Sequence, residues 1–496
     1  MNAITPIEQN VDMIIVGAGI SGIGMAVHLT RDCPGKSFVM LDRRDQIGGT
    51  WDLFRYPGIR SDSDMHTLGF SFAPWKHEKA IADGPSILEY LNAIADEYAL
   101  RDHMRFGQKV LSAEWDSKVA RWTVVVEQAD GTQQRVSGRF LFLGSGYYDY
   151  DNPYDAGFKG RDKFKGTVIH PQFWPKDFDY TGKKVVVIGS GATAVTIVPA
   201  MVDGGAAHVT MLQRTPTWIM SRPAKDAIAN RLRKVLPEKW AYGLTRAKNI
   251  TLGHLMFKRS RNQPEKVKDF LYGELEKHLG PGYDRAAFTP PYNPWEQRLC
   301  FVPDADLFEA MKAGKAEIVT DQIDSFDATG IKLQSGKHLD ADIIVTATGL
   351  AMSFAGKIAF SVDGQPVDIT KRFFYRNCMF SNLPNLAGIF GYVNASWTLR
   401  VDIVAQYLTR LIRQMDTYGA VAVVPAMPEG SEPDEADLLG LSSGYVERGK
   451  HLMPKNAASN PWRLNQDYLQ DRKDMRQAPI DDGILQFTRA RELVGA

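Results

Sequence analysis

Two glycine-rich segments, each standing between an apolar run and a helix-like stretch, constrain the fold of this chain more than any other feature. The first apolar run, MIIV, leads into GAGISG, which contributes Gly17, Gly19 and Gly22. A strand, a tight glycine turn and a helix in this order form a phosphate-binding turn, because the helix N-terminus offers free N–H groups to an anion. The next apolar run ends at Asp42, twenty residues after Gly22, where a carboxylate can accept a hydrogen bond from a ribose hydroxyl.

The second segment, GSGATA, repeats this pattern with Gly189, Gly191 and Ala194 after the apolar run VVVI. Its following run, HVTMLQR, ends at Arg214, again twenty residues after the last small residue of the loop. A guanidinium suits a 2′-phosphate, which the carboxylate of Asp42 would repel. The competing interpretation is that Arg214 only solvates a strand end. The two segments predict an adenine dinucleotide with free ribose hydroxyls at the first site and NADP at the second.

Each glycine segment is followed, later in the chain, by an apolar strand that stops in a small-residue turn: RFLFLGSG after the first and ADIIVTATG after the second. This recurrence is typical of a duplicated architecture and disfavours two accidental glycine motifs. We expect an α/β protein with two Rossmann-like dinucleotide-binding domains and a helical insertion in the second. The expected boundaries are 1–150 and 381–496 for the first domain with its C-terminal tail, 151–224 and 295–380 for the second, and 225–294 for the insertion.

Composition narrows the class of protein. The 496 residues carry 59 Lys and Arg against 58 Asp and Glu, so the chain has no global field that would attract nucleic acid. The cysteines, Cys33, Cys300 and Cys378, are odd in number and far apart, which argues against a disulfide framework and a paired-cysteine metal site. The N-terminus carries Glu8 and Asp12 in place of a basic segment before an apolar one, so we expect a soluble, cytoplasmic protein.

Five motifs in one order carry a resemblance to a known family. GAGISG, IGGTWDLFRYPGIRSD, FKGTVIHPQFWP, GSGATA and a late TATG follow one another as in the class B flavoprotein monooxygenases, and the resemblance covers nearly the whole chain. FKGTVIHPQFWP, the joint between the two glycine segments, resembles FxGxxxHxxxWP, the fingerprint of type I Baeyer-Villiger monooxygenases. YNPWEQRLCFVPDADLF and GYVNASWTLR are most similar to the ethionamide-activating subgroup. The fingerprint residues of the joint are Phe164, Gly166, His170, Trp174 and Pro175.

The resemblance implies FAD in the first site, NADPH in the second and dioxygen as co-substrate. It implies insertion of one oxygen atom beside a ketone carbonyl, through a C4a-peroxyflavin, to give an ester or lactone, with sulfoxidation as a side activity. One alternative is a flavin-containing monooxygenase that oxygenates nitrogen or sulfur, which Trp174 and Arg298 disfavour. A second is a flavin reductase or a nucleotide-binding regulator without catalysis. His170 is interpreted as a structural residue of the joint.

The resemblance also assigns site residues. Arg298 stands where the family carries its active-site arginine, and the competing interpretation is that it pairs with a surface carboxylate. Asp62 stands where the family has a carboxylate that would pair with this arginine, and the competing interpretation is that it caps a loop. Gln297 replaces a lysine that often contacts the 2′-phosphate, so more of the NADPH preference falls on Arg214. The residues expected to bind FAD are Gly17, Gly19, Ser21, Gly22, Asp42, Thr50, Trp51, Asp62 and Val110. Those expected to bind NADP are Arg60, Ser61, Gly189, Ser190, Gly191, Ala192, Thr193, Ala194, Arg214 and Thr215.

The expected helical insertion is unusually basic. Residues 225–261 contain ten Lys and Arg against two Asp and Glu, interleaved with Leu, Trp, Tyr and Phe. A solvated helix face around a substrate entrance is the favoured interpretation, and a face that contacts a membrane surface is the alternative.

From the resemblance and the balanced net charge together, the expected partners are a small ketone or sulfide substrate and dioxygen, without nucleic acid.

Overall fold

The two glycine-rich loops lie at the ends of strands in two separate sheets. The computed structural model describes residues 7–493, so residues 1–6 and 494–496 of the expected first domain lie outside the described residues. The strands of the first third are β1 Ile7–Val16, β2 Phe38–Leu41, β3 Met104–Arg105, β4 Gln108–Asp116, β5 Arg121–Gln128, β6 Gln133–Leu143 and β7 Thr167–Ile169. The next are β8 Lys184–Ile188, β9 His208–Gln213, β10 Ile219–Arg222, β11 Cys300–Pro303, β12 Ala316–Thr320, β13 Ile323–Phe326, β14 Gly330–Leu333, β15 His338–Asp340 and β16 Ile343–Thr346. The last are β17 Ala359–Val362, β18 Gln365–Val367, β19 Phe374–Tyr375, β20 Met379–Phe380, β21 Leu386–Gly388, β22 Ala420–Pro425 and β23 Leu485–Arg489.

The helices alternate with these strands in the dinucleotide-binding regions and cluster between β10 and β11. The first five are α1 Ile20–Asp32, α2 Thr50–Leu53, α3 Met65–Leu68, α4 Gly84–Glu97 and α5 Ala192–Asp203. The cluster consists of α6 Ala227–Val235, α7 Glu238–Asn262 and α8 Pro264–Leu279. The remaining helices are α9 Asp306–Lys312, α10 Trp397–Tyr418, α11 Gly444–Gly449, α12 Tyr468–Gln477 and α13 Ala490–Leu493. No helix within residues 7–493 combines the length and the apolar character that crossing a membrane requires.

The first sheet has a parallel part that places the first glycine loop. Strand β1 pairs in parallel with β2 and β6, and Val16 stands opposite Leu41 on one side and Leu143 on the other. The carboxyl ends of these three strands therefore meet at one edge, where an open parallel sheet binds its ligand. Strands β4, β5 and β6 form an antiparallel meander beside them.

The second sheet is wholly parallel, in the order β12-β9-β8-β16-β7. Ile188 at the end of β8 stands opposite Leu212 of β9 and Thr346 of β16, so the second glycine loop also lies at a carboxyl edge between neighbouring strands. All four residues of β16 are buried, which is typical of a parallel strand covered on both faces. The α/β fold with two dinucleotide-binding sheets and a helical insertion, predicted from the sequence, is confirmed.

The chain returns to the first sheet earlier than the sequence suggested. The expected boundary lay at residue 381, but β17 pairs in parallel with β4, with Phe360 opposite Ala113. Strand β18 then pairs with β17, which leaves these strands outside the second sheet. Strands of three or four residues with mixed exposure carry too little hydrophobic pattern to be assigned to a sheet from the sequence. The division of the chain into domains otherwise stays a prediction.

Candidate active site

A cavity of about 340 Å³ extends from the turn after β1 to the N-terminus of α5 and to the segment before β11. The predicted site residues that line it are Gly17, Gly19, Ser21, Asp42, Thr50, Trp51, Arg60, Ser61, Asp62, Val110, Ala192, Thr193 and Arg298. The predicted residues that do not line it are Gly22, Gly189, Ser190, Gly191, Ala194, Arg214 and Thr215. One cavity thus brings together most of the first set with Arg298 and the start of α5.

The first loop is a tight turn in which the backbone packs too closely for side chains. Gly17 has φ +103°, and a Cβ there would lie 2.6 Å from the carbonyl oxygen of Gly144. A Cβ on Gly22 would lie 1.9 Å from the carbonyl oxygen of Gly17, so neither position tolerates a side chain. Gly19 is the N-cap of α1, and no side chain caps that helix. Its first N–H groups are therefore available to an anion.

Asp42 has a structural role in addition to the ligand role expected of it. Its Oδ2 accepts a hydrogen bond from the backbone N–H of Ala18 at 2.6 Å, and its Oδ1 accepts from the N–H of Arg44 at 2.8 Å. Burial raises the pKa of the Asp42 carboxyl, and these two N–H groups oppose the shift. The carboxylate thereby ties the glycine turn to the end of β2 while it lines the cavity.

The second loop is built like the first and leads into the N-terminus of α5. Gly189 has φ +136°, and a Cβ there would lie 2.3 Å from the carbonyl oxygen of Ala347. Gly191 is the N-cap of α5, again without a side-chain cap. Ser190 Oγ donates a hydrogen bond to the Thr215 carbonyl at 2.8 Å, which holds the loop against the end of β9. The loop therefore presents an uncapped helix N-terminus beside Thr215.

Arg214 follows β9 directly and is exposed. Its guanidinium forms no hydrogen bond or ion pair with any residue of the described range 7–493. A cation that stands free beside a phosphate-binding loop is available to a further phosphate group.

Arg298 and Asp62 face the same cavity, but they do not form the ion pair that the sequence suggested. Burial raises the pKa of Asp62, and the positive charges of Arg298 and Arg60 oppose this shift. Neither arginine donates a hydrogen bond to the Asp62 carboxylate. Arg298 Nε is buried and has no hydrogen-bond partner among residues 7–493. A carboxylate and a guanidinium that line one space without satisfying each other leave both groups available to bound molecules.

The pKa of Arg298 lies above its ordinary value. Burial lowers this pKa, but electrostatic interactions with Tyr445, Tyr147, Tyr148 and Asp62 raise it by more. Because arginine stays protonated at every working pH, Arg298 is a permanent positive charge in the cavity wall.

Arg60 and Ser61 have partners within the protein, although both were expected to face NADPH. Arg60 Nη1 donates to Asp306 Oδ2, which ties the cavity-lining segment before α3 to α9. Ser61 Oγ donates to the Ser63 carbonyl at 2.7 Å and accepts from the Ser63 N–H at 3.0 Å. These bonds order the segment that carries Asp62.

A group of aromatic residues in the wall was not assigned a role from the sequence. Tyr147 Oη and Tyr148 Oη lie 2.5 Å apart in a hydrogen bond. Tyr147 stacks on Trp397, with ring centroids 5.3 Å apart, and Trp397 Nε1 donates to Ser21 Oγ at 2.8 Å. The tyrosines directly follow the turn after β6, and that position at a carboxyl strand edge is the pattern that could have identified them.

The residues of the joint lie outside the cavity lining. A Cβ on Gly166 would lie 2.3 Å from the carbonyl oxygen of Asp342, which explains why this position requires glycine. His170 Nδ1 accepts from the Gln172 N–H at 3.2 Å, and burial lowers the pKa of this histidine. Gln172 Nε2 in turn donates to the Asp149 carbonyl at 2.8 Å. Phe164 is buried beside Phe326, and Trp174 packs edge-on against Phe178.

Comparison with known proteins gives concordant matches along the chain. The model of the family described as "Flavin-binding monooxygenase-like" matches residues 10–418. The chain is 49% identical over 487 residues to the "Probable FAD-binding monooxygenase AlmA" of Acinetobacter baylyi, with 98% of each chain covered. It is also 49% identical over 488 residues to the "FAD-containing monooxygenase EthA" of Mycobacterium tuberculosis, with 98% of this chain and 99% of the relative covered.

A solved structure described as an oxidized steroid monooxygenase bound to NADP has the same fold. It aligns with a TM-score of 0.76 over 97% of this chain and 100% of that one, at 23% identity. At this identity the likeness shows the fold alone.

Proposed function

This chain belongs to the flavin-binding monooxygenase-like family, and from that premise we propose that it is an FAD- and NADPH-dependent Baeyer-Villiger monooxygenase. The proposed reaction consumes a ketone, O₂, NADPH and a proton, and yields an ester or lactone, NADP⁺ and water. One atom of O₂ enters the carbon–carbon bond beside the carbonyl, and the other leaves as water.

The residues fit the two cofactors. Gly17 and Gly22 leave no room for a side chain, and the uncapped N-terminus of α1 faces the cavity together with Asp42, as an adenine dinucleotide with free ribose hydroxyls requires. The relatives' names refer to FAD, which supports FAD in this position. The second loop and the free cation of Arg214 suit NADPH, and the steroid monooxygenase aligned above binds NADP. When bound, the two cofactors supply hydride transfer and the activation of dioxygen.

The observation that carries the proposal is the permanent charge of Arg298 in the wall of the cavity, which the first loop and the start of α5 also line. Oxygen transfer to a carbonyl carbon concentrates negative charge on oxygen. A fixed guanidinium whose buried Nε is unsatisfied stabilises such charge without reorganising, which is commonly the largest electrostatic contribution to catalysis. Asp62 keeps the guanidinium from being a lone buried charge and orients it through the field between them.

Oxygenation of sulfur or nitrogen is the second candidate, and the tyrosine pair favours it. Burial raises the pKa of both Tyr147 and Tyr148, so both phenols stay protonated at neutral pH. A protonated phenol in the cavity wall can donate a hydrogen bond or a proton to a reacting oxygen, and heteroatom oxygenation requires such a proton. Sulfoxidation is therefore the expected side activity.

The test uses the purified holoenzyme with NADPH, ¹⁸O₂ and either a ketone or a sulfide of similar size. Mass spectrometry of the products should show one ¹⁸O in the ester, formed in step with NADPH oxidation. Exclusive formation of the sulfoxide would replace the proposal with the heteroatom oxygenase. NADPH oxidation without any oxygenated product would leave only a flavin reductase.

A further inference from the structure

Helix α7 is fixed to the protein on one side, and this determines which side is free. Tyr242 Oη donates to the Phe70 carbonyl at 2.9 Å. One turn later, Arg246 Nη1 donates to the carbonyls of α3 and its flank, those of His66, Thr67 and Gly69. Arg246 Nη2 also forms an ion pair with Asp402 of α10 at 3.1 Å. The buried face of α7 is therefore tightly held.

Four large apolar side chains of α7 are exposed, on the side away from these contacts. Trp240, Leu244, Leu252 and Leu255 have relative exposures of 68%, 50%, 58% and 56%, and their spacing of three, four and eight residues places them along one side of the helix. We name these four residues the α7 stripe. Within residues 7–493, seven of the ten large apolar side chains that are strongly exposed lie between residues 228 and 270. A concentration of this kind marks an interaction surface, whereas single exposed apolar residues do not.

Positive charge surrounds the α7 stripe. Glu238 is the only acidic residue of α7, and it pairs with Lys76 at 3.2 Å. Four exposed cations on α6 and α7 form neither an ion pair nor a side-chain hydrogen bond within the described part of the chain: Arg231, Lys234, Lys239 and Arg259. The α7 stripe thus lies among positive charges that no carboxylate of residues 7–493 neutralises.

We propose that the α7 stripe is a docking surface for an anionic lipid bilayer, on which α7 lies in the plane of the headgroups. Exposed aromatic and aliphatic side chains that are flanked by Lys and Arg fit an interface between anionic headgroups and acyl chains. A second copy of this chain fits the surface poorly, because two such faces would bring their cations together.

Docking in this orientation places the cavity close to the bilayer. Arg246 holds α7 against α3, and Leu68 of α3 lines the cavity of about 340 Å³. The docking surface itself does not depend on which reaction the cavity catalyses.

The experiment is cosedimentation of the holoenzyme with vesicles, without NADPH or substrate. One set of vesicles contains phosphatidylcholine alone, and the other an equimolar mixture of phosphatidylcholine and phosphatidylglycerol. We expect binding to the anionic vesicles that falls as salt concentration rises. Trp240→Ser combined with Leu244→Ser should weaken it at least tenfold, because two large apolar side chains can then no longer be buried among the acyl chains. Lys239→Glu combined with Arg259→Glu should weaken it by more than about fivefold for each cation.

Val119→Ser is the matched control, because Val119 is 58% exposed and lies in the turn between β4 and β5, far along the chain from α7. This control should bind vesicles like the wild type, and bound-flavin absorbance should be the same in every variant. Sedimentation that is absent in the wild type, equal on neutral vesicles, or unchanged in the stripe variant would overturn the proposal. So would light scattering that shows a wild-type dimer and a monomeric stripe variant, since the stripe would then bind a second copy.

Discussion

Asp62 and Arg298 line the same cavity without a direct ion pair between them. The two residues come from distant parts of the chain, one after α2 and the other before β11. The charge of each residue shifts the pKa of the other, but no hydrogen bond joins them. Arg298 Nε has no hydrogen-bond partner among the described residues. An arginine in this state is poised to bind an anionic oxygen within the cavity.

The glycine turn of the first loop gives a prediction about cofactor binding. Gly22→Ala places a Cβ 1.9 Å from the Gly17 carbonyl oxygen, so the turn has to open and the uncapped N-terminus of α1 has to move. The variant should purify without bound flavin, as measured by absorbance of the released cofactor. Gly273→Ala is the control, since nothing lies within 4 Å of a Cβ there and alanine in α8 should raise stability by up to about 1 kcal/mol. A Gly22→Ala protein with full flavin content would contradict the role assigned to the turn.

The free cation of Arg214 gives a prediction about cofactor choice. Arg214→Gln should lower kcat/KM for NADPH by about 10- to 100-fold, because one or two charge-assisted hydrogen bonds to the 2′-phosphate are lost. The value for NADH should change little, since NADH lacks that phosphate. Steady-state kinetics with both cofactors measures the effect, and exposed Lys337→Gln serves as the control. An equal loss with NADPH and NADH would remove Arg214 from 2′-phosphate recognition.

A buried histidine predicts how stability changes with pH. Burial lowers the pKa of His28, but its hydrogen bonds with Asp32 and Asp402 outweigh this and raise the pKa above its usual value. The stabilisation is therefore fully present below pH about 6.5 and is lost as pH rises through the raised pKa of the folded state. His28→Asn should lower the free energy of unfolding by about 2 kcal/mol at pH 6 and by clearly less at pH 9.

Chemical denaturation of the wild type and His28→Asn across this pH range measures the difference. The exposed His451→Asn should follow the wild type at every pH. A destabilisation by His28→Asn that is the same at both pH values would show that protonation of His28 contributes nothing.

The nucleotide loops were predictable from the sequence because their constraints are local. A buried strand, a glycine turn and a helix follow one another within about twenty residues, and the structure has β1, Gly17 and α1 in that order. Arg298 and Asp62 could be assigned to one site only through family resemblance, because packing over more than two hundred residues brings them together. The stack of Tyr147 on Trp397 joins distant parts of the chain and could not be predicted from local sequence, although the strand-edge position of Tyr147 could. The early return of β17 to the first sheet depends on a strand of four residues.

Ester formation by Arg298 variants tests the central claim most directly. The measurement is ester produced per NADPH oxidised in the wild type, Arg298→Lys and Arg298→Ala, with flavin content determined for each. Arg298→Ala should keep its flavin and oxidise NADPH, yet form ester at least about 100-fold more slowly, because the fixed charge facing the reacting oxygen is lost. Arg298→Lys should retain part of the rate. Ester formation by Arg298→Ala at close to the wild-type rate would contradict the account.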